Sequence, residues 1–333
     1  NALTATLVSS DPSVGQLVTT SDTGGTVTVE IAELSDNSPT SVAAGGSALD
    51  PLAAGTTTIS ASIPGFVSTT RASSEVTVSE PGIGLTGTTT ASGLQRNRTS
   101  YLGAPNHGGV DVVLTSADPS VLLLSPDAST AGTASITLPV ADGSTGFSYY
   151  VQGVEGTTGS VNISASAPGF SDSTTTIDVV EPALEINGLS SSATTLAPDD
   201  PFYVSVGIPY GGGSSVQTSL AVRAGAPGPL TATVVSSDSA VGQLVTTPST
   251  DDTVTVEIAV GQYNSPATVA SGGVAFDPLT SGATTISASI PGFTPTTQAS
   301  QDVTVTGQGI TLTTYTNATA LQRSASGFLG ATN

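Results

Sequence analysis

The chain has 333 residues, enough for two or three domains with cores of their own. Its 25 acidic residues outnumber 5 basic ones, all arginine, for a net charge of −20, so no basic patch can form for nucleic acid or an anionic membrane surface. Cys, Met and Trp are absent, which removes disulfides, thiolate nucleophiles and cysteine-based zinc sites and leaves little for oxidants to attack.

In chain order, the first local signal is the turn sequence SSDPSV at 9–14. Val27, Val29 and Ile31 then alternate with Thr28 and Glu30, the period of a half-buried strand. Ile59, Ala61 and Ile63 alternate likewise and run into PGF. There the Pro-Gly pair is expected to turn the chain and Phe66 to return to the core as a large apolar plug. Val76 and Val78 form a short strand, and Ile83 and Leu85 open the next one. SADPSV at 116–121, SASAPGF at 164–170 with Phe170, and Ile177 with Val179 repeat the same order. Leu184 and Ile186 open a third run, in which Val254, Val256 and Ile258 alternate, SASIPGF recurs with Phe293, and Val303 and Val305 close. Ile310 and Leu312 open a fourth. No stretch carries a capped 3.6-residue apolar period, and Gly, Pro, Asp and Ser cluster between the alternating runs. The expected class is all-β, built of sandwiches, with no significant helix.

A shift of 227 positions, Leu3 onto Leu230, lays the sequence on itself without a gap as far as Asn106, with roughly six in ten residues identical. A weaker copy lies between. The expected organisation is a partial sandwich over 1–81 lacking its first strands, one sandwich over 82–182, a longer one over 183–308 of the same type as 1–81, and an opening-strand segment over 309–333. Carried in order by SSDPSV, TTISASIPGF and VTV, the sequence resembles the bacterial Ig-like (Big-type) tandem domains of large secreted and cell-surface proteins. The resemblance implies tandem Ig-like sandwiches and a stalk, adhesin or surface-structural role, outside the cell. The missing lysine rules out Lys–Asn isopeptide crosslinks.

An opening strand without a sandwich, and a sandwich without an opening strand, raise the expectation of assembly. The 309–333 segment, through Ile310, Leu312, Leu321, Phe328 and Leu329, would add its strand to a neighbouring copy and extend a head-to-tail fibre. The alternative expectation is that the 333 residues are a window on a much longer periodic polypeptide, and a start at Asn1 and not Met fits a mature or excised segment.

Chemical sites are sparse. His107 is the one histidine and reads as structural, and the repeat-related Glu30 and Glu257 read as solvated strand positions. No cofactor is expected. Asp199, Asp200, Asp251 and Asp252 are weak calcium candidates, with turn formation the first reading. Asn97 and Asn317 fit the glycosylation sequon, as does Asn162 inside an expected strand. Arg96 and Arg323, in LQR, are expected to pair with acidic neighbours across domain junctions. The residues point to an extracellular structural protein, not an enzyme, whose partners are copies of itself. An adhesin arm binding a glycan or protein receptor is the alternative.

Overall fold

The computed structural model describes residues 1–312, 319 and 326–329. It is all-β, with strand pairing predominantly antiparallel and, among the described residues, four single 3₁₀ turns as the only helical elements. The chain forms two compact units, one of Asn1–Gly82 with Gly169–Ser171, the other of Ile83–Pro168 with Asp172–Asn333.

The first unit holds two sheets. One runs in the order Thr26–Ile31, Leu3–Ser9, Gly55–Ser62, Ser73–Val78, and the other in the order Thr23–Gly24, Gly15–Val18, Ala48–Pro51. The period-2 pattern sets the register: Ala5 lies opposite Val29, Leu7 opposite Val27 and Ala61, and Thr57 opposite Val76.

The second unit holds two sandwiches. In the first, Ser135–Val140, Val110–Ser116, Gly159–Ser166 and Ser173–Val180 pair in that order, and Thr88–Ala91 joins the last in parallel. Leu122–Ser125, Gly146–Gly153 and Leu94–Leu102 form the facing sheet, with Ile83–Gly84 paired to Leu94–Leu102. In the second sandwich, Ser300–Thr306, Gly282–Ser289, Leu230–Ser236 and Thr253–Ile258 repeat the four-stranded sheet of the first unit, 227 residues on. Ser192–Thr194 lies parallel to Ser300–Thr306, and the facing sheet runs Thr250–Asp251, Gly242–Val245, Val274–Pro278, Asp200–Pro209, Ala183–Asn187, Thr294–Pro295, with Val216–Ser219 also paired to Asp200–Pro209.

The two sandwiches share their junction. Ala221–Val222 of the second adds to Leu94–Leu102 of the first. Arg223 donates two hydrogen bonds to Glu155, Nε to Oε1 at 2.8 Å and Nη2 to Oε2 at 2.6 Å. Gln95 Oε1 accepts from the Ala224 N–H at 3.0 Å and from Gln152 Nε2 at 3.0 Å. Gly225 packs so close to Ala131 that an added Cβ would fall 2.5 Å from the alanine Cβ. The junction cation is therefore Arg223. Arg96 instead donates to the Thr89 carbonyl at 2.7 Å, because its strand position faces the neighbouring Thr88–Ala91 segment and not an acid. Arg323 lies outside the described residues.

The repeated motifs have local causes. In each copy of PGF the glycine is left-handed, at φ 83°, 78° and 80° for Gly65, Gly169 and Gly292. The Phe66 N–H bonds the Ile63 carbonyl and the Phe293 N–H the Ile290 carbonyl, so the motif is a turn with Pro and Gly at its centre. In SSDPSV the aspartate caps its own loop: Asp11 Oδ1 accepts from the Ser13 N–H and hydroxyl, and in SADPSV Asp118 Oδ1 accepts likewise from Ser120. Ser9 Oγ donates to the Gly15 carbonyl and shares a hydrogen bond with Thr57 Oγ1, and Ser236 does the same with Gly242 and Thr284. In the middle copy Val161 stands where the others have threonine, and Ser116 Oγ is buried without a partner.

Candidate assembly surface

The repeat provides an internal comparison. Between the sheets of the second sandwich, Ala232, Val234, Val256, Ile258 and Ile286 are buried beneath Leu184, Ile186, Phe202, Val204, Val206 and Ile208 in one core. The covering residues come from Ala183–Asn187 and Asp200–Pro209, whose alternation turns one apolar face inward. The first unit has the same box without the cover. Leu7, Ile31, Ile59, Ala61 and Ile63 sit where Val234, Ile258, Ile286, Ala288 and Ile290 do, yet all five are half-exposed. Val76 and Val78 are half-exposed, whereas Val303 and Val305 are buried. An open apolar groove of about 340 Å³ results, bordered by Leu7, Val29, Ile31, Ala61, Ile63 and Phe66.

Phe66 corrects the expectation of a core plug, being 62% exposed, while Phe170 is buried at 6% and Phe293 packs half-buried against its core. The sequence and turn are the same at Phe66 and Phe293; the difference is what lies beside them. Thr294–Pro295, next to Phe293, pairs in parallel with Ala183 and Leu184. Val67, in the place of Thr294, has no such strand and is 92% exposed.

The polar groups along the groove point the same way. The Thr296 N–H and hydroxyl both donate to the Leu184 carbonyl, at 3.1 and 3.0 Å. Thr69, its repeat equivalent, is exposed. The Thr304 N–H donates to the Ser191 carbonyl at 3.0 Å, and Thr77 holds the matching place on the outer edge of Ser73–Val78. Ala48–Pro51 is likewise an edge strand, whereas its equivalent Val274–Pro278 pairs on both sides. Thus one apolar face and two strand edges lie open together.

Of the expected donor segment, Ile310–Leu312 pairs antiparallel with Gly327–Leu329, Ile310 opposite Leu329 and Leu312 opposite Gly327. This repeats the pairing of Ile83 with Leu102 one period earlier. Ile310 and Leu312 are 74% and 72% exposed. Phe328 is placed by its backbone opposite Thr311. Leu321 and Asn317 lie outside the described residues.

The acidic candidates do not converge. Asp200, Phe276, Leu244 and Asp251 form one row across four strands, which separates the two carboxylates by three strand spacings, about 14 Å. Asp200 Oδ2 accepts from the Ser190 N–H, and Asp251 Oδ1 from the Asp252 N–H. Burial, with the charge of Asp199 second, pushes the Asp277 carboxyl above its ordinary value. Among the described residues no three acidic or histidine side chains are grouped to hold a metal ion. Glu30 and Glu257 are exposed on matching strands. His107 Nδ1 accepts from the Gly109 N–H at 3.2 Å and Nε2 lies 2.9 Å from the Ser144 carbonyl, so both ring nitrogens tie down their own loop. Asn97 is exposed on Leu94–Leu102 opposite Tyr150, and Asn162 sits in a ladder, accepting from the Thr176 hydroxyl.

No protein-family model matches the sequence, and no curated protein matches it. Among solved structures, domains 5–6 of the S-layer protein SbsC are 17% identical, covering 68% of this chain and 95% of that one, with a TM-score of 0.22. The C-terminal domain of the AgI/II polypeptide BspA of Streptococcus agalactiae is 10% identical over 69% and 95%, with a TM-score of 0.18. The type II cohesin dyad of the ScaA scaffoldin of Acetivibrio cellulolyticus is 11% identical over 67% and 98%, with a TM-score of 0.21. Scores this low do not establish a common arrangement, and the fold class rests on the strands themselves.

Proposed function

We propose that the chain is an extracellular structural protein, a stretch of Ig-like sandwiches that belongs to a linear filament or stalk. Neighbouring chains of the same repeat would join it by strand complementation at the open face of the first unit. One observation carries this reading: residues buried in the 183–308 sandwich are half-exposed at their repeat equivalents in 1–81, where the cover is missing. An uncovered apolar face beside two unpaired edges costs free energy in water, and an added strand removes both costs at once. The mechanism is mechanical. Val, Ile, Leu and Phe faces resist separation of the sheets, ladder hydrogen bonds resist shear, and the Arg223–Glu155 bonds fix the junction of two sandwiches. A net charge of −20 with few ion pairs keeps such a chain soluble through its hydroxyl-rich surface.

The test is sedimentation velocity with negative-stain electron microscopy across a concentration series. Linear assemblies that lengthen with concentration are expected. A single monodisperse species at every concentration overturns the reading.

A further inference from the structure

The 82–182 sandwich holds a cluster of buried polar groups that no protein atom satisfies. We infer that Arg98, Ser100 and Tyr149 bind a monatomic anion of chloride size between its sheets. The site is independent of how chains assemble.

Strand alternation brings the groups together. Along Leu94–Leu102 the even-numbered side chains face the core, so Arg96, Arg98 and Ser100 follow Leu94 inward, while Asn97, Thr99 and Tyr101 are exposed. The neighbouring strand lays Tyr149 directly opposite Arg98. Tyr149 is fully buried and Ser100 is 3% exposed. Among the described residues four buried side-chain polar atoms lack a hydrogen-bond partner, and three of them are here: Arg98 Nε, Ser100 Oγ and the Tyr149 hydroxyl oxygen. The two hydroxyls lie beside each other without completing a well-formed bond. Burial raises the Tyr149 pKa above its ordinary value, and Ser100, then the charge of Arg98, pull it back. One orphaned buried donor is already costly, and three at one place point to a bound group.

Charge decides which group. The chain has 5 basic residues against 25 acidic ones, yet among the described residues neither Arg96 nor Arg98 forms an ion pair. Their partners are neutral: Arg96 Nη1 donates to the Thr89 carbonyl at 2.7 Å and Arg98 Nη2 to the Thr86 carbonyl at 3.4 Å. Burial, with the charge of Arg98 second, pushes the Arg96 guanidinium below its ordinary value. The orphaned set is a guanidinium N–H and two hydroxyls, all able to donate, which suits an anion. A water molecule would serve the hydroxyls and leave two guanidiniums without counter-charge. The groups come from adjacent strands about 4.8 Å apart and are shut off from solvent, so the ligand is a single atom and not a phosphate or an acidic side chain from outside. The partial repeat does not carry the set: Arg323 stands in the place of Arg96, but Ala325 and Gly327 stand in those of Arg98 and Ser100.

The test is amide hydrogen exchange of the full chain in sodium chloride against sodium gluconate, at equal sodium and equal ionic strength. The 183–308 sandwich, which lacks these residues, is the internal reference for general salt effects. Exchange in Leu94–Leu102 and Gly146–Gly153 should slow in chloride, by about a hundredfold at a chloride concentration of a hundred Kd, with Gly282–Ser289 unchanged. Bromide should act as chloride does. Tyr149→Phe should exchange no faster than the parent in gluconate, because its hydroxyl has no protein partner, and should need about tenfold more chloride for the same slowing. The same shift is expected of Ser100→Ala, which keeps the tyrosine ring and its packing. Equal exchange in chloride and gluconate in both sandwiches overturns the inference and leaves the hydroxyls to water. A chloride effect that both variants keep unchanged also overturns it, since the anion then lies elsewhere.

Discussion

Substituting the same residue in two repeat-equivalent places tests the open face directly. Ile286 is fully buried under Phe202 and its neighbours, and Ile59 holds the same strand position in the uncovered unit, half-exposed. Ile286→Ala deletes about three methylene equivalents from a closed core and leaves a cavity, so it should cost about 3–4 kcal/mol. Ile59→Ala loses about half of the transfer contribution and leaves no closed cavity, so about 1 kcal/mol is expected. Hydrogen exchange resolves the two sites within one chain through the opening free energies of Gly282–Ser289 and Gly55–Ser62. Equal losses would refute the reasoning, since they would mean that the face is as well covered at Ile59 as at Ile286.

Ser236→Ala should destabilise its sandwich by about 1–2 kcal/mol, because Thr284 and the Gly242 carbonyl lose a buried partner, whereas Ser116→Ala, whose hydroxyl has none, should be neutral or stabilising in urea unfolding. Arg223→Ala should cost about 1–3 kcal/mol through loss of the two charge-assisted hydrogen bonds that the buried Arg223 makes to Glu155, and should speed exchange of the Ala224 amide selectively. Hydrogen bonds from Ser129, then Thr130, pull the Asp127 carboxyl down to about 2. A depressed acid contributes its stabilisation fully above the ordinary carboxylate range and loses it as pH falls toward 2. A carboxyl NMR titration should therefore place the Asp127 midpoint near 2, and Ser129→Ala should raise it. Leu34 is left-handed at φ 68° and fully exposed where the repeat has Gly261, so Leu34→Gly should raise the melting point of the first unit by relieving about 1 kcal/mol of backbone strain.

Much of this architecture is written in short-range patterns. Alternation in TVTVEIA and TTISAS marks strands because a pleated strand turns successive side chains to opposite faces, and Pro-Gly marks the turn because only glycine takes φ near +80° without strain. The 227-residue repeat marks two boxes of one kind by identity alone. Other features had no sequence signal. Nothing local in AVRAGAPG singles out Arg223 as the junction cation; Gln95 carries a hint, since LQR recurs at Gln322, but what it donates to and accepts from depends on where residues 128 and 224 arrive.

Phe66 and Phe293 mark the boundary between the two kinds of information. Both follow the same strand and close the same turn, because those choices are made by four or five adjacent residues. Whether each ring is buried depends on a strand more than a hundred positions away in sequence, present over Phe293 and missing over Phe66. Strand, turn and repeat follow from neighbours along the chain. Burial, the open groove and the unpaired edges follow from which distant segments come to lie alongside, and only the assembled sheets decide that.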